Sequence, residues 1–325
     1  MNFYLVVIYG YTLIAVLLIY FINRDRTKPE LFFGKHRNLS WALIGVLLLG
    51  IVAGIDARWV EINLLSSTKK SITVSGLKRP LTIAFLSDIH AGEHKKTAWV
   101  EKVAKKIEAI NPDLVLFGGD FIVNFGSTVD ESQYLEPLRQ LVGKFPMYYV
   151  VGNHEYGVGI ILKTGQREYH GDHSQEVMSR MKAIGIPLLR NELVCPEIKG
   201  EKICLYGVDE VWSGKMSFAP LAAWDKKTPL VLLAHNPDAL LYWPEEIRYP
   251  DLELAGHTHG GQIRLPFIGP LGEADVRLGK NYYKGLNYWN GVAVFTTVGV
   301  SESGGPIRFL NPPEIAVITL TPSPP

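Results

Sequence analysis

The chain has 325 residues, 47% of them hydrophobic and 20% charged, so it can bury a sizeable core and is too apolar to be disordered over most of its length. Lys and Arg number 33 against 32 Asp and Glu, a formal net charge of +1, which argues against a dedicated nucleic-acid binder, since such proteins carry a basic excess. Two cysteines cannot build a disulfide scaffold, and no CxxC motif suggests a zinc ribbon.

Residues 1–60 read as a membrane anchor. Phe3 to Ile22 runs without a charge, and at about 1.5 Å per residue it spans about 30 Å, the thickness of a bilayer's hydrocarbon core. The start carries no basic side chain, so an uncleaved spanning helix is expected rather than a secretory signal. A second apolar run, Trp41 to Ile55, is flanked by Trp41 and Trp59, and a second span over 41–57 is expected. A helix packed on the soluble domain or a re-entrant segment is the alternative. Between the runs, Asn23 to Ser40 holds Arg24, Arg26, Lys28, Lys35 and Arg37. Short basic loops stay cytoplasmic. A multi-pass protein of the cell membrane with an extracytoplasmic soluble domain follows.

Beyond the anchor, short apolar runs alternate with Gly, Pro, Asn and Asp. Strands are expected at Leu81–Ser87, Asp113–Gly118, Met147–Val151, Pro229–Ala234, Leu252–Ala255, Val292–Thr297 and Glu314–Leu320. Thr97 to Ile110 has helical spacing, with Trp99, Val100, Val103, Ile107 and Ile110 on one stripe. This pattern predicts an α/β fold with two packed β-sheets. Gln166 to Ser174, with His170, Asp172 and His173, reads as a surface loop, with further metal ligands as the sharper alternative. The tail, 321–325, is expected to fray.

The cysteines lie in one expected hairpin. A Lys199-Gly200 turn pairs Ile198 with Glu201, Glu197 with Lys202, Pro196 with Ile203, and Cys195 with Cys204. Opposed cysteines at that register can bridge, and a disulfide fits an oxidising compartment. One residue of slip leaves two free thiols instead.

The chemistry is concentrated at strand ends. Asp88 and His90 follow the first expected strand, Asp120 the next, Asn153 and His154 the third, His235 the fourth, and His257 and His259 the fifth. Loops at one end of an α/β sheet converge on a common crevice. Singly, each residue reads as a turn former, a helix cap or a packed histidine. Together, seven polar groups in one apolar crevice would be costly without a cation. A carboxylate shared between two ions would give each ion four protein ligands, and two metals about 3.5–4 Å apart can clamp a phosphorus centre for in-line attack.

The blocks Asp88-Ile89-His90, Gly119-Asp120, Gly152-Asn153-His154-Glu155, Ala234-His235-Asn236-Pro237 and Gly256-His257-Thr258-His259 resemble, in order, the motifs of the calcineurin-like metallophosphoesterase family. The resemblance covers about 72–320 and is strongest to a membrane-anchored bacterial-type branch, through Gly256–Gln262 and Pro306-Ile307-Arg308-Phe309. It implies a four-layer αββα sandwich and two divalent ions (Mn, Fe or Zn). One ion would take Asp88, His90, Asp120 and His259, the other Asp120, Asn153, His235 and His257. His154 would face the phosphate as the catalytic group, with water activated by the ions attacking phosphorus. Arg264 and Arg308 could hold a substrate phosphate or form structural ion pairs. Glu155 would orient His154 or form a salt bridge. Thr296 to Ser303 departs from that branch's pattern, which touches substrate contacts rather than metals. The implied activity is hydrolysis of a phosphoester or phosphodiester, with a phospholipid or lipid-linked diphosphate suggested by the bilayer. A non-catalytic metal-binding membrane module of the same fold is the alternative, and a nucleic-acid partner is not expected.

Overall fold

The computed structural model describes residues 3–125, 129–161 and 166–323. Helices α1 (Phe3–Asp25) and α3 (Arg37–Ile55), joined through the short α2 (Phe32–Lys35), lie against each other and form a hairpin. By length and composition both are apolar enough to cross a membrane, α3 continuing through turns to Asn63. Their outward faces carry large apolar side chains such as Leu13, Val46 and Leu49.

The chain then enters a strand that the sequence pattern did not reveal, β1 (Ser66–Val74). It pairs in parallel with β17 (Glu314–Pro322), the last strand of the fold. The first sheet runs β1, β17, β2 (Leu81–Leu86), β3 (Leu114–Phe117), β4 (Met147–Tyr149), with β2, β3 and β4 mutually parallel. The second sheet runs β15 (Gly285–Trp289), β16 (Val292–Thr296), β12 (Leu252–Ala255), β11 (Leu230–Leu233), β10 (Cys204–Gly207), β7 (Glu192–Val194). Its four central strands are parallel. Hairpins β5–β6 (Val158–Ile161, Arg167–Tyr169), β8–β9 (Glu197–Ile198, Glu201–Lys202) and β13–β14 (Arg264–Leu265, Gly269–Pro270) complete the strands.

Alternation along each strand builds the layers. Ile83 and Phe85 of β2 meet Val231, Leu233, Leu254 and Phe295 between the sheets. Ala84 and Leu86 face the other way, onto α4 (Thr97–Ile110) and α5 (Ser174–Ile184). On α4 the expected stripe is buried at Trp99, Val100, Val103 and Ile107, and the helix stops at Asn111, which takes the left-handed conformation. The outer face of the second sheet buries Cys204, Tyr206, Leu232 and Val294 against Leu221, Trp224, Leu240 and Trp243. Here the expected helical fourth layer is replaced by 3-10 turns, Ala219–Ala223 and Pro237–Tyr242. Pro220 and Pro237 open these turns, and short connections with Pro244 close behind cannot sustain an α-helix.

The cysteine hairpin forms in the expected register, Glu197 opposite Lys202 and Ile198 opposite Glu201, and Cys195 and Cys204 are bonded. Ile198, Ile203 and Leu205 point between the sheets, whereas both cysteines point to the outer layer. Thr321 and Pro322 continue β17 opposite Thr73 and Val74, so the strand extends into the segment expected to fray. Pro324 and Pro325 lie outside the described residues. Arg167–Tyr169, expected in a loop, forms β6 instead.

Candidate metal centre

The parallel strands of both sheets end at one place, and the loops leaving them meet there. All seven expected ligands are brought together. Three mutually close groups define the centre: Asp88 with His90 and His259, His90 with Asp120 and His154, and Asp120 with His235 and His257, the candidate ligand atoms of each group lying within 4.8 Å of one another. Asp120 belongs to the second and third, so it links the two ends of the cluster.

Close approach of the loops demands glycine. A Cβ on Gly152 would collide with Asp120 Oδ1, and one on Gly256 with Ser87 Oγ. The backbone at Asp88, His90, Asp120, His257 and His259 has positive φ, between 42° and 68°. Asp and His visit this region more readily than most residues, yet a cluster of five marks a site where the surrounding structure enforces it.

The imidazoles are oriented from behind. His90 Nδ1 faces Ile122 O at 3.2 Å, His259 Nδ1 faces Ser301 O at 2.9 Å, and His235 Nδ1 faces Gly118 O at 2.7 Å. A carbonyl only accepts, so each Nδ1 carries the proton and donates. In the neutral rings of His90 and His259, Nε2 is therefore a lone pair. These two Nε2 atoms lie 3.1 Å apart, with Asp88 Oδ1 at 3.4 Å from the His259 nitrogen and Asp120 Oδ2 at 3.6 Å from the His90 nitrogen. Burial keeps both rings neutral, pushing His90 down to about 3 and His259 well below its ordinary value. Two lone pairs and two carboxylate oxygens facing one another repel unless a cation lies among them.

The other end gathers an amide oxygen, a shared carboxylate and two imidazoles. Asn153 Nδ2 donates to Val158 O at 2.6 Å, which turns Oδ1 inward, 3.0 Å from both His235 Nε2 and His257 Nδ1. His235 Nε2 is 3.1 Å from Asp120 Oδ2. Burial lowers the His235 pKa, but the Asp120 carboxylate outweighs it and holds the ring up to about 10, while burial pushes His257 down to about 3. Asp88 and Asp120 are fully buried; burial raises Asp88 to about 6. Carboxylate, amide oxygen and imidazole donors in these two sets fit divalent ions such as Mn, Fe or Zn.

His154 lies at the mouth. Its Nδ1 donates to Val123 O, and Nε2 stands 4.0 Å from Asp120 Oδ2, on the floor of a cleft of about 430 Å³. Glu155 neither orients His154 nor forms an ion pair. Its buried carboxylate accepts backbone N–H groups from Asp120, Phe121, Ile122 and Gly152 and so clamps two ligand loops together. Arg308 is fully buried: its guanidinium bonds Glu302, Asn311 O, Val298 O and Ser301 O, so of its two readings the structure shows the ion pair. Arg264 is half-buried and donates to Gly260 O at 2.8 Å. No Lys or Arg is among the described residues lining the cleft.

The cleft walls include side chains that carried no motif, chiefly Phe125 and Trp212. Trp212 packs perpendicular to His257, and the Arg167 guanidinium lies 3.6 Å from the centre of the Trp212 ring. His170 pairs with Glu168, His173 with Glu176, and Asp172 accepts from Ser174 N–H, so none of these three joins the centre.

Comparison with known proteins agrees with this geometry. The model for calcineurin-like phosphoesterases matches residues 81–261, from the start of β2 through the last ligand block. The chain is 30% identical over 296 residues to the uncharacterized metallophosphoesterase YkuE of Bacillus subtilis, covering 88% of this chain and 97% of that one. It is 32% identical over 288 residues to an uncharacterized metallophosphoesterase of Helicobacter pylori, with 86% and 69% covered. It is 30% identical over 243 residues to the phosphodiesterase YaeI of Escherichia coli, with 74% and 82% covered. A dinuclear donor set at the strand ends of this fold makes the chain a metal-dependent phosphoesterase, and it belongs to the calcineurin-like phosphoesterase family.

Proposed function

We propose that the protein hydrolyses a phosphoester or phosphodiester carried at a membrane surface. The observation that carries the chemistry is the pair of facing Nε2 lone pairs on His90 and His259, which only a cation reconciles. In this reading Asp88, His90, Asp120 and His259 hold one divalent ion, and Asp120, Asn153, His235 and His257 hold the second. Bound there, the ions would supply Lewis acidity for activating water and neutralising phosphoryl charge.

The chain's own residues do the rest. The carbonyls of Ile122, Ser301 and Gly118 fix three imidazole rings, so the donor set needs little rearrangement on binding. His154, oriented by Val123 O, presents Nε2 to the mouth, where it can donate a proton to the leaving oxygen or hydrogen-bond a phosphoryl oxygen. Among the described cleft-lining residues, none is Lys or Arg, and His154 is the side chain placed to hydrogen-bond the phosphate.

Two apolar helices, a basic loop between them and a disulfide in the soluble domain support a membrane protein whose catalytic domain is extracytoplasmic. A location at the bilayer favours an amphiphilic substrate, a phospholipid or lipid-linked diphosphate. Membership of a membrane-anchored branch of the family is part of the same proposal.

The test is hydrolysis of a chromogenic phosphodiester by purified full-length protein with Mn²⁺. Chelator should abolish it. Asp120→Asn should cost both bound metal and rate. His154→Ala should keep the metal and lower kcat by about 10²–10⁴. Loss of metal from the His154 variant would refute this division of roles. Alkaline-phosphatase and green-fluorescent-protein fusions at the C-terminus report sidedness, and fluorescence without phosphatase activity would refute the extracytoplasmic placement.

A further inference from the structure

The β13–β14 hairpin carries an apolar tip that the chemistry does not use. Leu265 pairs with Gly269, so Pro266, Phe267 and Ile268 form a three-residue loop. Such loops ordinarily place Gly, Asn or Asp where φ is positive, with polar neighbours. Here Phe267 has a φ of 66°. Phe267 is fully exposed, Ile268 is 69% exposed, and Leu271 at the base is exposed as well. A bulky aromatic held in left-handed backbone and aimed at solvent is a feature in need of a partner.

The base of the hairpin shows which partner. Ile263 packs with Ile307 and Phe309 onto Ala57 and Ile8, at the domain ends of α3 and α1. Arg264 N–H donates to Phe309 O at 2.9 Å. Exposed apolar groups continue along the exit of α3 at Ile55, Trp59 and Val60, and reappear at Leu310, whose N–H is bonded by Glu61. The Trp59 ring lies 6.4 Å from that of Tyr9, an aromatic pair of the type that favours the headgroup level. Ile263 also lines the metal cleft, together with Gly272. One hairpin thus joins the helix ends to the cleft wall, with its apolar tip free.

We propose that Phe267 and Ile268 insert into the headgroup and acyl boundary of the bilayer that α1 and α3 cross. The hairpin is then a third membrane contact, and it turns the mouth of the cleft toward lipid headgroups. This rests on the reading of the two helices as spans. The occupant is a lipid surface because the tip continues an apolar surface that begins at the helix ends.

The experiment uses the full chain reconstituted in vesicles of phosphatidylcholine and phosphatidylglycerol. Single cysteines are introduced at Ile268, Leu13 and Arg79 and labelled with an environment-sensitive fluorophore; Cys195 and Cys204, being bonded to each other, do not react. Leu13 reports the first helix. Arg79 is exposed in the turn before β2, at the end of the sheet opposite the site. Nitroxide-bearing lipid should quench the Ile268→Cys probe at least about threefold more than the Arg79→Cys probe. A probe at 268 quenched no more than the one at 79, while the Leu13→Cys probe is strongly quenched, overturns the hairpin contact and leaves the spans intact; a protein covering the tip gives that result. An unquenched Leu13→Cys probe overturns the spans and this proposal together. The double variant Phe267→Ser, Ile268→Ser should keep its rate on a soluble chromogenic phosphodiester and lose at least about tenfold in kcat/KM on a phosphoester presented in vesicles. Equal rates on the vesicle substrate would refute the orienting role.

Discussion

Glu155→Gln tests whether the metal centre is held by its loops or only by its ligands. The Glu155 carboxylate is fully buried. Oε2 accepts from Asp120 N at 3.0 Å and Gly152 N at 2.7 Å, and Oε1 accepts from Phe121 N at 2.7 Å and Ile122 N at 3.3 Å. A glutamine of the same shape accepts through one oxygen only, and its NH₂ group is turned against the other two donors. Two buried N–H groups then lose their acceptor, at about 1–3 kcal/mol each, or about 2–6 kcal/mol in all. For a domain of this size that lowers Tm by at least about 4 °C. Because the clamp holds the turn that presents Asp120 between both donor sets, bound metal should fall although no ligand has been changed. The assay is thermal unfolding of the full chain in detergent, followed by circular dichroism, with metal content by mass spectrometry on the same preparation. A Tm within about 1 °C of the parent and full metal content, with only kcat reduced, would refute the clamp and restore a role acting through His154.

The same contacts lead to three further outcomes. Gly152→Ala places a Cβ against Asp120 Oδ1 and should reduce bound metal while leaving the fold intact by circular dichroism; unchanged metal would show that the loops have room to spare. Replacing both cysteines by serine removes a cross-link between residues nine apart. This should cost about 2–3 kcal/mol and several degrees of Tm, yet spare metal content, because the pair lies at the start of β10 and the ligands lie at strand C-termini; metal loss would contradict that separation. Glu253 in β12 is fully buried with neither carboxylate oxygen hydrogen-bonded, and burial, then the charge of Asp238, holds its pKa well above the ordinary value. Its contribution to stability is complete below the ordinary Glu range and is lost as pH rises through the raised folded value. Glu253→Gln should therefore gain Tm over the parent as pH goes from about 5 to about 8, and a gap that stays constant over that range would sink the assignment.

The polar ligands were legible because each follows a short buried strand, and strand ends in a layered α/β fold have a common destination. The disulfide was legible for a related reason: once Lys199-Gly200 is the turn, period-two alternation puts both cysteines on one face. β1 was hidden. Its middle, Lys69-Lys70-Ser71, is polar and exposed, and its burial begins only at Ile72 and Val74, so no apolar run announced it. It is an edge strand whose partner, β17, lies at the far end of the chain. The left-handed backbone at Asp88, His90, Asp120, His257 and His259 leaves no trace in residue type alone, since Asp and His occur there for many reasons. Glu155 was visible as a neighbour of His154, but its true partners are N–H groups of two loops, and every residue offers an N–H. The cleft walls, Phe125 and Trp212, belong to no motif, because shape rather than coordination recruits them.

The departure of Thr296 to Ser303 from the expected branch pattern has a structural resolution. That segment acts on the centre through its backbone: Ser301 O orients His259, and Val298 O and Ser301 O take the Arg308 guanidinium at 2.7 and 2.6 Å. Carbonyls are supplied by any sequence that holds the path, so identity can drift where only the carbonyl is used, whereas Glu302 is fixed by its ion pair with Arg308 and Gly299 by its closeness to Asp88. What holds the path is the segment that follows α3. Ala57 O accepts from Arg308 N–H at 3.0 Å, and the Glu61 carboxylate accepts from the N–H groups of Leu310 and Asn311. Asn311 in turn donates from Nδ2 to His259 O at 2.7 Å. Lys95 closes the circuit, bonding Ile62 O at 2.7 Å and standing 3.7 Å from Glu302, the ion-pair partner of Arg308. The residues between the second apolar helix and β1 are thus built into the support of a ligand histidine. A tether that only kept the enzyme near a bilayer would need none of these bonds, and their presence ties the orientation of the centre to the helices that precede it.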